Sequence, residues 1–259
     1  DALAEAKNKK GKARILALLE YGMALHAAGE YTGSTEALLE AAKVIEQEDV
    51  LHVGEETTSL VSNEMLTTFR PESFERVLVH TYLAVNFMLM DQWSSARVEA
   101  KRALGVLDSL DEDLQDQAFT RYVCGLAFEA MGDLDDAYIE YRKAAETAES
   151  LPLYIQLYRL ALATGREQEA GRWAAKIEER GGEVPERPRP PNLVIFVGAG
   201  RAPVKREVNM VIPPYANRFV VPQYQSSGSA AHHAVLSIGG RRTASSFTLT
   251  DLDPCLLYT

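Results

Sequence analysis

The fold of this chain is decided by residues 117–152, which read QAFTRYVCGLAFEAMGDLDDAYIEYRKAAETAESLP. Two segments with helical periodicity flank a turn at Gly132, and Pro152 closes the unit. Gly125 is a small residue at the place where the two helices must touch. The second helix carries a stripe made of Ala137, Tyr141 and Ala144. The stretch therefore predicts a helical hairpin, which cannot bury its apolar face without a neighbouring hairpin.

This hairpin resembles a tetratricopeptide repeat (TPR), and weaker copies of its pattern occur on both sides. The copies are anchored at Gly22, Ala84 and Tyr158, each in the position of the helix-contact residue of the clear unit. The interval between the first two anchors exceeds the TPR period of about 34 residues by roughly one helix. Residues 55–69 fit that extra helix. We therefore predict a mainly α fold in which residues 1–180 form a TPR-like solenoid of about four hairpins.

The charge distribution limits which classes of molecule can be the partner. The net charge is −10, with 37 acidic against 27 Lys and Arg residues, and the acidic excess lies within residues 1–180. Binding to a nucleic-acid backbone needs clustered positive charge, so nucleic acid is excluded as the expected partner. The sequence also contains no apolar run of about 18 residues that would span a membrane.

A change of composition at Gly181 marks a second region. Residues 181–191 contain two glycines and four prolines, which end the last helix and predict a linker. Over residues 192–254 the apolar period changes to two, which is typical of strands. The strand-type segments are 193–197, 207–212, 219–221, 234–238 and 246–250. We predict a small β-rich C-terminal module that follows the helices and is truncated.

Both ends of the sequence have the character of cut ends. Asp1 begins inside a predicted helix, and residues 255–259 read CLLYT. This pentapeptide back-translates to the transposon end that is used to prepare sequencing libraries. We favour a non-native, adaptor-derived tail over a coincidence, and we expect the natural chain to continue beyond Asp253.

A narrower resemblance covers residues 15–225. Its motifs are ERVLVHTYLAVN (75–86), ARVEAKR (96–102), RYVCGLAFEAMGDLDDAYIEYRKA (121–144) and GRAPVK (200–205). In combination they resemble an uncharacterised family of bacterial TPR-containing lipoproteins, from which the sequence departs at Val85 and Lys101. The resemblance implies an exported protein with no known activity, tethered at the periplasmic face of the outer membrane. The tether would be a lipid anchor upstream of Asp1, and the partner an envelope protein or peptide.

Three patterns that could carry chemistry have simpler interpretations. Gly198–Gly200 lacks the third glycine of a dinucleotide fingerprint, because Pro203 stands in its place. His232 and His233 have no further metal ligand at suitable spacing. Cys124 lies at a small-residue helix position, which favours a buried thiol over a nucleophile. We therefore predict that the chain is not an enzyme and has no cofactor and no metal site.

Candidate partner-binding residues form two groups. By TPR convention, six residues of the first helices face a groove. They are Met23, His26, Val85, Met88, Leu126 and Glu129. A polar group on the second and third hairpins comprises Asn86, Arg97, Glu99, Arg102, Arg121, Tyr122, Glu129 and Arg142. Glu99 and Arg102 share a helix face, and Glu129 is predicted to pair with Arg142. The polar group either fixes the stacking of the hairpins or captures a peptide terminus or acidic side chain.

These observations predict a non-catalytic scaffold of the bacterial cell envelope that binds a partner protein or peptide through the solenoid groove. We expect the groove to hold an apolar segment. The alternative is a structural or secretion-assembly accessory that acts through the β module, by multimerisation or contact with the cell wall.

Overall fold

The structure is a computed structural model, which describes residues 8, 12–53, 71–110, 117–191 and 193–196 together with strand segments between residues 204 and 248. Helices fill most of the described chain up to residue 180. They are α1 (Lys12–Ala27), α2 (Tyr31–Val53), α3 (Ser73–Leu89), α4 (Trp93–Leu107), α5 (Ala118–Ala130), α6 (Leu134–Thr147), α7 (Leu151–Ala163) and α8 (Glu167–Glu179). The order confirms the predicted TPR-like series of helical hairpins.

The chain divides into two compact units. The first combines Asp1–Gln115 with Phe119–Tyr141, and the second combines Asp116–Ala118 with Arg142–Thr259. The first unit holds the pairs α1–α2 and α3–α4, most of α5 and the first part of α6. The second holds the rest of α6, the pair α7–α8 and the strands. Helix α8 ends next to the predicted boundary at residue 180, and the predicted division into domains stays a prediction.

The hairpins turn on residues with positive φ. In the turn between α5 and α6, Gly132 has φ 82°, and its N–H donates to the Glu129 carbonyl at 3.0 Å while the Asp133 N–H donates to Phe128 at 2.9 Å. This pair of bonds satisfies carbonyls at the helix end. Asp91 (φ 59°) occupies the same place between α3 and α4. The predicted turn at Gly132 is therefore confirmed.

Close contact between the helices of a hairpin depends on small residues. A Cβ atom added at Gly125 would lie 2.7 Å from Cδ1 of Tyr141, and one at Gly22 would lie 2.8 Å from Cδ2 of Leu38. Neither distance is possible for real atoms, so these rings and methyl groups fill the space that glycine leaves. The predicted stripe of α6 is buried, with Ala137, Tyr141 and Ala144 each fully covered.

Neighbouring hairpins of the first unit share clusters of buried apolar residues. One cluster brings together Ile15 of α1, Leu38 of α2, and Val79 and Leu83 of α3. A second cluster joins Ala84 and Val85 of α3 to Val123 of α5. Each of the first two hairpins is thus packed against the hairpin that follows it, as the repeat pattern predicted.

The strands are short and paired in twos. Strand β1 (Val204–Ile212) runs antiparallel to β2 (Asn217–Gln225), with Val208 opposite Val221. The remaining strands pair β3 with β6 and β4 with β5, and their bounds are β3 (His233–Ala234), β4 (Ser237–Ile238), β5 (Arg241–Arg242) and β6 (Phe247–Thr248). These pairs do not establish a packed β module, which stays a prediction.

Two further predicted elements, a helix and a strand, do not occur among the described helices and strands. The extra helix at 55–69 lies outside the described residues, and α2 is described as far as Val53. Residues 193–196, predicted to begin a strand, lie in neither helix nor strand. They are largely exposed there, and an apolar run reads as a strand only when a neighbouring strand pairs with it.

We predict opposite effects for the same substitution at two glycines of the first unit. No atom would lie within 4 Å of a new Cβ at Gly132 or at Gly105, so packing is not changed at either. Gly132→Ala should lower the free energy of unfolding by roughly 1–2 kcal/mol, because its φ is positive. Gly105→Ala, within α4, should raise it by roughly 0.5–1 kcal/mol. Urea unfolding of both variants measures the difference; equal effects would contradict the assignment of the turn.

Candidate functional site

Helix α5 leaves one stripe of its surface accessible to solvent. Apart from Ala130 at its end, every residue of α5 is buried except for four that are half-exposed, namely Phe119, Tyr122, Leu126 and Glu129. Their spacing places them on one side of the helix. Three of the four are aromatic or aliphatic, so the accessible side of a largely buried helix is mainly apolar.

The other first helices of the same unit also have accessible apolar residues. Helix α1 has the half-exposed residues Met23 and His26, with Leu16 37% exposed. Helix α3 has Leu78, Tyr82 and Met88 half-exposed and Leu89 52% exposed. We call eleven accessible residues of the three helices the first-helix face; they are Leu16, Met23, His26, Leu78, Tyr82, Met88, Leu89, Phe119, Tyr122, Leu126 and Glu129. Other residues of α1 and α3 are accessible as well, including the charged Arg14, Glu20, Glu75 and Arg76.

A row of rings connects the three helices across this face. The ring of His26 stands edge-on to that of Tyr82, with centroids 5.1 Å apart, and Tyr82 lies 6.0 Å from Phe119. Met88 and Phe119 also pack against the core cluster beneath them. The first-helix face is therefore continuous from α1 to α5, and its aromatic rings are held by their neighbours.

The second helices of the unit expose different chemistry. Their exposed positions are mostly charged: Glu36, Lys43 and Glu46 on α2, Lys101 and Arg102 on α4, and Asp135 and Asp136 on α6. Single apolar residues interrupt the charge, with Leu39 37%, Val98 49% and Ile139 38% exposed. The two sides of the hairpins thus differ in polarity, although the whole region is acidic.

Asn86 links the first two hairpins through buried hydrogen bonds. Its amide is fully buried, and Nδ2 donates to Oγ of Ser34 at 2.8 Å. Oδ1 lies 2.6 Å from Nδ1 of His26, which donates in this arrangement because Oδ1 can only accept. A buried amide needs such partners, so Asn86 fixes the stacking of the hairpins rather than facing a ligand.

Glu99 lies in a second buried network. It is 3% exposed; its Oε2 lies 2.8 Å from Nδ1 of His80, and Oε1 lies 2.6 Å from Nη1 of Arg102. Both carboxylate oxygens are therefore engaged. Glu99 and Arg102 lie on one helix face, as predicted, and form an ion pair there, whereas His80 was not among the predicted residues.

A third network surrounds Cys124. Arg121, 4% exposed, pairs with Glu140 at 2.9 Å and with Asp108 at 3.2 Å. Burial raises the pKa of the Cys124 thiol well above its ordinary value, and the charge of Glu140 adds to the effect. A thiol that stays protonated is a poor nucleophile, so the predicted buried structural cysteine is confirmed.

The remaining predicted polar residues lie nearer the surface. Arg97 forms an ion pair with Asp133 at 2.5 Å, between α4 and the turn that follows α5. The structure shows Arg142 paired with Glu146 on its own helix at 3.7 Å, and not with Glu129 as predicted. Glu129 instead accepts a hydrogen bond from the Tyr141 hydroxyl at 3.1 Å.

The two predicted groups therefore have different surroundings. Asn86 and Glu99 take part in contacts between helices, Arg97 pairs with the turn after α5, and Arg102 pairs with Glu99 of its own helix. Of the predicted groove residues, Val85 is buried and the others are accessible, namely Met23, His26, Met88, Leu126 and Glu129. Tyr122 is accessible as well. That any of these residues binds a partner stays a hypothesis.

Within the described ranges, no group of three or more His, Cys, Asp or Glu residues could hold a metal ion. No described helix is both long and apolar enough to span a membrane.

No protein-family model matches the chain, and no curated protein matches it. Several solved structures align with it. MamA has 18% identity over 64% of this chain and 78% of that chain, with a TM-score of 0.45. A putative kinesin light chain with TPR-like repeats from Podosopora anserina has 17% identity over 69% and 81%, with a TM-score of 0.47. PilF of Pseudomonas aeruginosa has 16% identity over 64% and 60%, with a TM-score of 0.44. The TPR-like description rests on the hairpins of this chain.

We predict that Asn86→Leu lowers the free energy of unfolding by roughly 1–3 kcal/mol, because it leaves the buried hydroxyl of Ser34 without its donor. When Ser34→Ala is added to the Asn86→Leu variant, the free energy of unfolding should fall only a little further. Urea unfolding of both single variants and the double variant measures the coupling. Additive effects would show that the bond does not link the hairpins.

We also predict an alkaline titration that depends on Glu129. Burial raises the pKa of Tyr122 and the Glu129 charge raises it further, so Glu129→Gln should lower that pKa. Because the pKa is higher in the folded state, the contribution to stability is present below about pH 10 and is lost as the pH rises through the folded pKa. Titration followed by tyrosinate absorbance measures the shift of the pKa. The titration curve of Tyr122→Phe is subtracted to isolate the signal of Tyr122. Glu36→Gln, on the other side of the hairpins, should leave the pKa of Tyr122 unchanged.

Proposed function

We propose that this chain is a non-catalytic scaffold that binds a partner protein or peptide through the first-helix face. The observation that supports the proposal is the contrast between the two sides of the hairpins. The first-helix face consists mainly of aromatic and aliphatic side chains, whereas most of the exposed side chains of the second helices are charged. Contiguous apolar surface on a water-soluble helical fold marks an interaction site.

The chemistry of the face favours an apolar or aromatic segment as the ligand. Tyr82, Phe119 and Tyr122 offer large, rigid contact surfaces that lose little conformational entropy on binding. Their positions are held by ring contacts and by the core below. Glu129 places a half-exposed carboxylate at one end of the α5 stripe, where it would favour a basic residue of the ligand.

We further propose that the protein works at the bacterial cell envelope, on a lipid anchor upstream of Asp1. The support is the resemblance of residues 15–225 to TPR-containing lipoproteins. Labelling of cells that express the gene with its upstream region, using radioactive palmitate, tests this. Label on the protein in the membrane fraction is expected; an unlabelled protein in the cytosolic fraction would contradict the proposal.

The binding proposal predicts which peptides the chain selects. Displayed random peptides that bind the full chain should be enriched in aromatic and aliphatic residues. Leu89→Asp should weaken their binding at least about tenfold, because it puts a charge into the apolar face (1.4 kcal/mol for each factor of ten). Val98→Asp is the matched control: a similarly exposed apolar residue on a second helix. Equal loss of affinity in both variants would overturn the assignment of the face.

A further inference from the structure

The segment after the last helix has the composition of a ligand for an aromatic face. Residues 187–196 read RPRPPNLVIF. Leu193 is 64%, Ile195 51% and Phe196 37% exposed, and both Arg187 and Arg189 are exposed. The exposed parts of Leu193 and Ile195 lack the stabilisation that burial would give, about 25 cal/mol for each Å². Burial against another surface would recover it.

The segment is attached to the end of α8 in a defined way. The Gly182 N–H donates to the Ile177 carbonyl at 2.8 Å, and a Cβ added at Gly182 would lie 2.5 Å from Cδ1 of Leu151. Arg180 pairs with Glu149. After this attachment, residues 183–191 contain four prolines. Pro-rich spacers are semi-rigid at about 3.1 Å for each residue, so the spacer can hold the apolar run about 28 Å from the helix end.

The segment and the first-helix face are complementary in the types of apolar residue that they carry and in charge. Proline-rich peptides dock on surfaces lined with aromatic rings, and the row His26–Tyr82–Phe119 provides them. The exposed aliphatic residues of the segment match the aliphatic residues of the face. Its two arginines match the carboxylate of Glu129 and the acidic excess of residues 1–180.

We propose that residues 187–196 of one copy bind the first-helix face of a second copy. This inference rests on the proposed function, because it names the occupant of the same face. A second copy can cover Leu193 and Ile195, which are exposed. Exchange between two copies makes the contact twice, with a segment and a face contributed by each copy, which is the arrangement of a two-fold dimer.

Sedimentation equilibrium of the full chain, over about a hundredfold range of concentration, tests the inference. The mass of the wild type should rise from monomer towards dimer, and added salt should weaken the association because the arginines contribute to it. Leu193→Asp/Ile195→Asp and Leu89→Asp should each stay monomeric. Val98→Asp should associate like the wild type. All four substituted side chains are exposed, so the fold should persist; circular dichroism checks this.

Mixing the segment variant with the face variant gives a positive test. One partner retains an intact face and the other an intact segment, so a heterodimer with one contact should form, although neither variant associates alone. A fluorescein-labelled peptide of residues 187–196 should also bind the segment variant, and Leu89→Asp should abolish that binding.

Two results would overturn the inference. A monomeric wild type that fails to bind the labelled peptide would exclude the segment as a ligand. A monomeric wild type whose segment variant does bind the peptide would show that the segment binds its own copy. In either case, selected peptides that bind with sensitivity to Leu89→Asp would leave the proposed function intact. Loss of both kinds of binding would remove the two proposals together.

Discussion

Each helical hairpin of this chain has more apolar surface than its own two helices can cover. The rest of the first unit follows from that constraint. Ile15, Leu38 and Leu83 come from three different helices, yet they share one cluster, because the hairpin α1–α2 can be dry only when α3 covers it. The same holds for Val85 and Val123. Stability is therefore distributed over the contacts between neighbours, as expected for repeat proteins.

The polar networks give these apolar contacts their register. An apolar surface alone allows neighbouring helices to slide, since hydrophobic burial has no direction. Hydrogen bonds do have direction, and a slide would leave Asn86 or Glu99 buried without partners, at a cost of several kcal/mol for a charged group. The networks around Asn86, Glu99 and Arg121 lie between different pairs of helices, so each fixes a different contact. This also leaves the accessible stripes of α1, α3 and α5 in alignment.

Local features of the fold could be predicted from the sequence, and long-range pairings could not. The turns at Asp91 and Gly132 depend on a few consecutive residues, and the glycine at 125 is implied by the large ring sixteen positions later. His80 gave no signal, because its partner Glu99 belongs to another helix and only packing brings them together. Arg142 was assigned the wrong partner for the same reason: two acidic residues were within reach, and the sequence did not rank them. Val85 was predicted to face the groove because the repeat convention places it there, but the neighbouring helix α5 covers it.

The linker that follows α8 has a further property, which concerns its chemical durability. Exposed chain outside helices and strands is where proteases usually cut. Arg187 and Arg189, however, each precede a proline. The tertiary amide of an Arg–Pro bond is a very poor substrate for trypsin-like enzymes, and proline restricts the backbone of the residue before it. The spacer thus carries positive charge in an exposed position without offering these enzymes a cleavable bond at either arginine. The chain therefore stays intact after Arg187 and Arg189, whereas trypsin-like enzymes would cut it after a lysine or arginine that is followed by any other residue.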